Sequence, residues 1–192
     1  MFIQKPFKIS DEKEIVAFIQ ANAFGQLISN KQDRLLSSHI PFLLSSDNKK
    51  ISGHLAKANP QVQDIEGQKV LITLQGAHDY ISPSWYESAG VPTWNYQAVH
   101  IYGTCTTFDE PERMKTVVDA LTAKYEAQFA KPWITNYKAA MLRAIVGFEV
   151  EVSDIQASYK LSQNKSDQDR EQVIAQLEKQ GSFDLAKAMK CV

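Results

Sequence analysis

The segment Gly53-His54-Leu55-Ala56-Lys57-Ala58-Asn59-Pro60 brings an imidazole, an ammonium and a capping amide to one junction. Asn is a good N-cap and Pro suits the first helical position, so a short helix is expected from Asn59-Pro60. Free N–H groups and a positive dipole end suit a phosphate, and Lys57 adds a point charge. The commoner role of such residues is a surface lysine beside an ordinary cap.

A second candidate lies in the strand expected over Thr93–Phe108. Side chains alternate along a strand. One face therefore carries Trp94, Tyr96, Ala98, His100 and Tyr102, and the other Asn95, Gln97, Val99, Ile101, Gly103 and Cys105. A row of rings with one imidazole suits a flat ligand or a partner subunit. A second packed face inside a two-layer β fold is the equal alternative. Lys160-Leu161-Ser162-Gln163-Asn164 adds an ammonium, a hydroxyl and two amides, which can bond a polar ring edge or a ribityl chain. A solvated loop is its commoner reading.

Other chemistries find little support. No GxSxG elbow is present, and no glycine run makes a dinucleotide or P-loop fingerprint. His39, His54, His78 and His100 all fall on expected strands, without the tight spacing of a helical metal motif. No metal is expected. His78 and Asp79 are neighbours on a strand and should point to opposite faces.

These groups need elements to hold them. Asp11–Asn22 reads as a helix, with Ser10 as its cap and Ile15, Phe18 and Ile19 as its apolar stripe. Phe24–Ser29 reads as a strand and Asn30–Asp33 as a turn. Leu35–Leu44 and Ile51–Ala56 read as a hairpin through an Asp47-Asn48 turn, pairing Leu44 with Ile51, Phe42 with Gly53, and Ile40 with Leu55. Ser37, His39 and Pro41 then share the opposite face with Ser52, His54 and Ala56, and His39 and His54 become diagonal neighbours. Val70–Ile81 and Ala144–Ile155 read as further strands, and Lys160–Asn164 as a polar loop.

A helix from Glu110-Pro111 should bury Met114, Val117, Val118, Leu121, Tyr125 and Phe129. Lys131-Pro132 should end it, and Trp133–Leu142 reads as another helix. Asp167–Lys179 and Phe183–Lys190 read as two helices around Gly181. About six antiparallel strands with grouped helices argue for a β-barrel with helical additions, rather than a doubly wound sheet.

The totals narrow the function. The chain has 192 residues, 44% hydrophobic and 22% charged, which fits a folded globular chain with a full core. Its net charge is −1, from 21 basic and 22 acidic residues. There is no basic stripe, so a nucleic-acid role would need a local patch on the folded surface. Cys105 and Cys191 lack any disulfide or zinc spacing, which fits reduced thiols in the cytoplasm. Met1–Ser10 does not read as a signal peptide. No apolar run approaches ~20 residues, so neither a membrane span nor a membrane partner is expected.

Six segments taken in order resemble one family: Ser38-His39-Ile40-Pro41-Phe42, the Gly53–Pro60 run, Ile81-Ser82-Pro83-Ser84-Trp85-Tyr86, Val91-Pro92-Thr93-Trp94-Asn95-Tyr96, Val99-His100, and Lys160–Asn164. They resemble the FMN-binding negative transcriptional regulators of the PaiB type. The resemblance implies an FMN-binding split β-barrel of the pyridoxamine phosphate oxidase type, forming a homodimer with flavin sites between subunits. One such domain would cover residues 1–192, with a C-terminal helical extension from about residue 165.

On that resemblance the flavin contacts are Ser37, Ser38, His39, Ile40, His54, Ala56, Lys57 and Asn59. The ring-facing row adds Trp94, Tyr96 and His100. Lys160, Gln163 and Asn164 follow, with Gln163 and Asn164 open to coming from the partner chain. Related phosphate pockets often use arginine, and of Arg34, Arg113, Arg143 and Arg170 only Arg34 is expected near this one.

The leading function is an FMN-holding homodimer that takes part in repression, with direct DNA contact doubtful because no helix-turn-helix appears. The first alternative is a flavin-dependent oxidoreductase acting on a small molecule, with a proton supplied by His39, His54 or His100. The second is a haem-binding split barrel with a strand histidine as axial ligand.

Overall fold

A computed structural model describes the backbone of residues 1–192 and every side chain except that of Ala139. The chain divides into two compact units. One holds Met1–Phe18, Gln75–Val99 and Gln156–Val192; the other holds Ile19–Leu74 and His100–Ile155. Three long strands contribute residues to both: β6 (Lys69–Ile81), β7 (Thr93–Phe108) and β8 (Ile145–Lys160).

The unit built from residues 19–74 and 100–155 holds β2 (Phe24–Lys31) and β3 (Arg34–Pro41), followed by β4 (Leu43–Leu44) and β5 (Lys50–Ala56). The sheet order is β3-β2-β6-β7-β8-β5-β4. β2 pairs antiparallel with β3 and β6, and β5 pairs antiparallel with β4 and β8. On β5, Ile51, Gly53 and Leu55 face inward and pair with Val150, Phe148 and Val146. Burying each large apolar side chain of this kind contributes about 1.5–3 kcal/mol.

The expected hairpin of Leu35–Leu44 with Ile51–Ala56 does not form over its length. β3 folds back on β2 instead, from Arg34↔Lys31 to Pro41↔Phe24. Gln32 and Asp33 make that turn with φ of 46° and 65°, the backbone a two-residue hairpin turn needs. The turn is thus shorter than Asn30–Asp33. Leu44↔Ile51 is retained, but the pairs Phe42–Gly53 and Ile40–Leu55 are lost.

Phe42 causes the break. It is fully buried, and its N–H donates to the Ala23 carbonyl at 2.8 Å. The β4–β5 connection is five residues long, Ser45–Lys49, and within it only Asn48 has a positive φ, of 60°. His39 lies opposite Gln26 and His54 opposite Gly147, so the expected diagonal contact between the two histidines is absent.

α2 (Pro111–Glu126) buries Met114 and Leu121, but Tyr125 and Phe129 are exposed. The expected Trp133–Leu142 helix is reduced to α3 (Ala139–Leu142). The Trp133 N–H is taken by the Glu126 carboxylate at 2.6 Å, and Ile134, Thr135 and Asn136 are weak helix formers.

The other unit begins with β1 (Lys8–Ile9), paired to Ser158 and Ala157 of β8, and the start of α1 (Glu12–Ala21). Asp11 caps α1, accepting from the Glu14 N–H at 2.9 Å, so Ser10 is not the cap. α4 (Asp167–Lys179) and α5 (Phe183–Lys190) have the expected bounds. Gly181 joins them at φ 88°, a conformation glycine adopts without steric cost. Lys160–Asn164 is not the expected solvated loop. Lys160 ends β8, and Leu161 and Ser162 are buried.

Candidate functional site

In the unit of residues 19–74 and 100–155, two motifs distant in sequence meet. The Asn59 amide donates to the Ser38 hydroxyl at 2.8 Å, and that hydroxyl donates to Gln61 Oε1 at 2.5 Å. Gln61 is almost fully buried. Its amide nitrogen donates to the Leu27 carbonyl at 3.1 Å and the Ser29 hydroxyl at 2.9 Å.

Asn59 also caps the short 3-10 turn Pro60–Gln63 by accepting from the Gln61 N–H at 3.0 Å. This network braces the turn after β5 against β3. Because the turn's first donor is met by its own cap, the expected helix-dipole phosphate site is not formed by the turn alone. The Lys57 ammonium stays partly exposed, with Asp109 at 3.8 Å.

Other expected contacts in this unit fall around the brace. Ser37 donates to Gln26 at 3.2 Å, and His39 stacks on Phe24 with ring centroids 6.4 Å apart; both are exposed. Ile40 is half-buried beside Gly25, and Ala56 pairs with Ile145. His54 and His100 each have a buried Nδ1 without a hydrogen-bond partner among the described residues. Burial holds both imidazoles below their ordinary pKa, favouring the neutral form. His100 packs edge-on against Tyr102 at 6.5 Å.

Sequence reasoning missed what packs on the strand beside His54. Its cross-strand neighbour is Gly147, where a Cβ would overlap the Phe108 ring. Arg113 of α2 lies 3.9 Å from the centre of that ring and 3.5 Å from Glu149. Arg113 therefore packs on the ring that lies over Gly147, the cross-strand neighbour of His54, whereas Arg34 stands at the turn of the β2–β3 hairpin. Gln61 was also missed, since a lone glutamine in a turn carries no motif.

The remaining candidates belong to the other unit. Trp94 is 54% exposed, stacks on His78 at 6.5 Å and meets Tyr80 edge-on at 6.2 Å. Tyr96 is half-buried. Lys160 donates to the Thr93 hydroxyl and to the Trp94 carbonyl, the latter at 3.0 Å. Gln163 closes its own turn, donating to the Tyr159 carbonyl at 2.6 Å and accepting from the Leu161 N–H at 2.7 Å. Asn164 is exposed. His78 bonds the Gly76 carbonyl while Asp79 accepts from Ser182 and Gln180, so those two neighbours do point apart.

A flavin nucleotide presents a flat ring, a polyol and an anionic phosphate. The donor set fits it in part. Lys57 offers a cation, Asn59 has a second amide hydrogen, and His54 offers an unpartnered buried nitrogen. Ser38 is committed to the brace, so it positions the turn more than it offers a donor.

A family model described as "Putative FMN-binding domain" matches residues 1–154. The chain is 40% identical over 186 residues to "Protease synthase and sporulation protein PAI 2" of Bacillus subtilis, covering 93% of this chain and 89% of that one. The "FAD and Heme binding protein" of Mycobacterium smegmatis superposes with a TM-score of 0.67 at 10% identity, covering 84% of this chain and 78% of that one. A Listeria innocua structure described as "Putative Pyridoxamine 5'-phosphate oxidase" gives 0.50 at 14% identity, covering 77% and 98%. The expected PaiB-type resemblance and split-barrel fold are borne out, and FMN is the cofactor the matching family is described by.

Proposed function

Because the chain belongs to the "Putative FMN-binding domain" family, we propose that it holds FMN as a homodimer and acts in repression without contacting DNA directly. The observation that carries the site is the Asn59–Ser38 hydrogen bond, which fixes the turn bearing Lys57 beside β3. In this reading Lys57 meets the phosphate, Asn59 adds an amide donor, and the residues Ser37–Ile40 with His54 and Ala56 line the nucleotide. Bound FMN supplies two-electron redox chemistry, and the chain orients it.

Trp94 and Lys160, joined by a hydrogen bond, together with Tyr96, Gln163 and Asn164, are assigned to the flavin of the second copy. His100 serves the ring-facing row. The two free thiols support a cytoplasmic setting. FMN titration followed by flavin fluorescence tests the cofactor, and light scattering tests the dimer. Mobility shifts at low and moderate salt test DNA: a salt-sensitive complex would refute the indirect role.

One observation favours a second reading, a flavin-dependent oxidoreductase. A buried neutral imidazole with an open nitrogen, as at His54, is a competent proton acceptor. Turnover of NAD(P)H by the FMN-loaded protein, lost in His54→Gln, would support it.

A further inference from the structure

Eight consecutive residues between α2 and α3, positions 127–134, are exposed. They include Phe129 at 55%, Trp133 at 51% and Ile134 at 84%, and Met141 follows at 61%. Single exposed apolar side chains are ordinary, but several grouped in one stretch mark an interaction surface. The loop is nevertheless tethered. Glu126 holds the Trp133 N–H at 2.6 Å, the Tyr137 hydroxyl donates to Asp119, and the Trp133 and Tyr137 rings lie 6.3 Å apart. The apolar tip is thus presented outward by a fixed base.

Charge singles out the same stretch. Lys124, Lys131, Lys138 and Arg143 stand against one carboxylate, Glu126, in a chain whose net charge is −1. Glu126 is turned onto the Trp133 backbone, and Asp119 is occupied by Lys115 and Tyr137.

We propose that residues 124–143 dock on an anionic lipid surface, with Phe129, Trp133 and Ile134 entering the headgroup boundary and the four cations meeting lipid phosphates. Among the described residues no helix is long and apolar enough to cross a membrane, and docking from one side needs none. Two other occupants fit less well. A nucleic-acid strand would use the Phe129 and Trp133 rings but leave the exposed Ile134 and Met141 side chains without a stacking role. A symmetric contact between two copies of this loop would set the four cations against the same four.

The test is cosedimentation of the full chain with vesicles of phosphatidylcholine alone, and with vesicles containing roughly one-third phosphatidylglycerol. Binding is expected to the anionic vesicles only, with a blue shift of tryptophan emission and weakening by salt. Ile134→Asp should lower the partition about tenfold, and Lys131→Gln with Lys138→Gln about thirtyfold. Thermal melting by circular dichroism checks that each variant folds, and Met141→Asp provides a second apolar probe should Ile134→Asp fail that check. Absence of binding to anionic vesicles at low salt overturns the proposal. So does an oligonucleotide complex, or a dimer lost on Ile134→Asp, found with vesicles inert.

Discussion

Asn59 and Ser38 are 21 residues apart in the chain, and the amide of one donates to the hydroxyl of the other at 2.8 Å. Asn59 also caps the turn that carries Gln61, so one side chain joins β3, the turn and the Lys57 segment.

Replacing Ser38 by Ala leaves Gln61 Oε1 buried without its donor. Such a loss costs about 1–3 kcal/mol. Urea unfolding should show that drop, with a larger fractional loss of FMN affinity because Lys57 is no longer held. Asn59→Asp keeps the cap but removes the donor and adds an anion. It should therefore weaken FMN binding while changing stability less than Ser38→Ala does.

His54 gives a pH signature. Its folded-state pKa lies below the ordinary 6.5, because burial disfavours the charged ring. The unfolded chain takes up the proton first, so stability is whole above pH 6.5 and falls as pH drops through that value. The urea midpoint of the wild type should decline more than that of His54→Gln between about pH 7.5 and 5.5. His100 is shifted in the same direction and its contribution remains in both proteins.

Gly147 has no room for a side chain beneath Phe108. Gly147→Ala should cost about 1–3 kcal/mol by overpacking. The denaturant midpoint reports it, and a midpoint equal to the wild type would show that the ring moves aside freely.

Cys105 is fully buried, and burial pushes its thiol up to about 12. Cys191 is exposed. A thiol reagent at pH 8 should therefore label one cysteine in the folded protein and both in denaturant, with peptide mapping assigning the fast site to Cys191.

Asp169 accepts from the Ser88 hydroxyl at 2.6 Å and from the Glu87 N–H at 2.8 Å, tying the β6–β7 connection to α4. Asp169→Asn removes the anion both donors point at. Limited proteolysis should then cut within residues 87–92 faster than in the wild type, with the rest of the peptide map unchanged.

The strands and helices with strong patterns were legible in the sequence. β7 alternates in burial from Val99 to Thr106, and α4 and α5 are bounded by Ser166 and Gly181, so these elements follow from side-chain period and capping chemistry. The partner of β3 was not legible. Its alternation fixes which face turns inward but is equally satisfied by β2 or β5, and only the buried Phe42 decides. At the site, the Ser38 and Asn59 motifs were visible, but the Gln61 brace and the Arg113–Phe108 cover arise from contacts between segments that no local pattern encodes.

The central claim is tested most directly by titrating FMN into the purified protein and following quenching of flavin fluorescence, for the wild type and for Lys57→Gln. The account predicts saturable quenching that weakens by about tenfold or more when the Lys57 charge is removed. Free-flavin fluorescence throughout the wild-type titration, or identical curves for the two proteins, would contradict it.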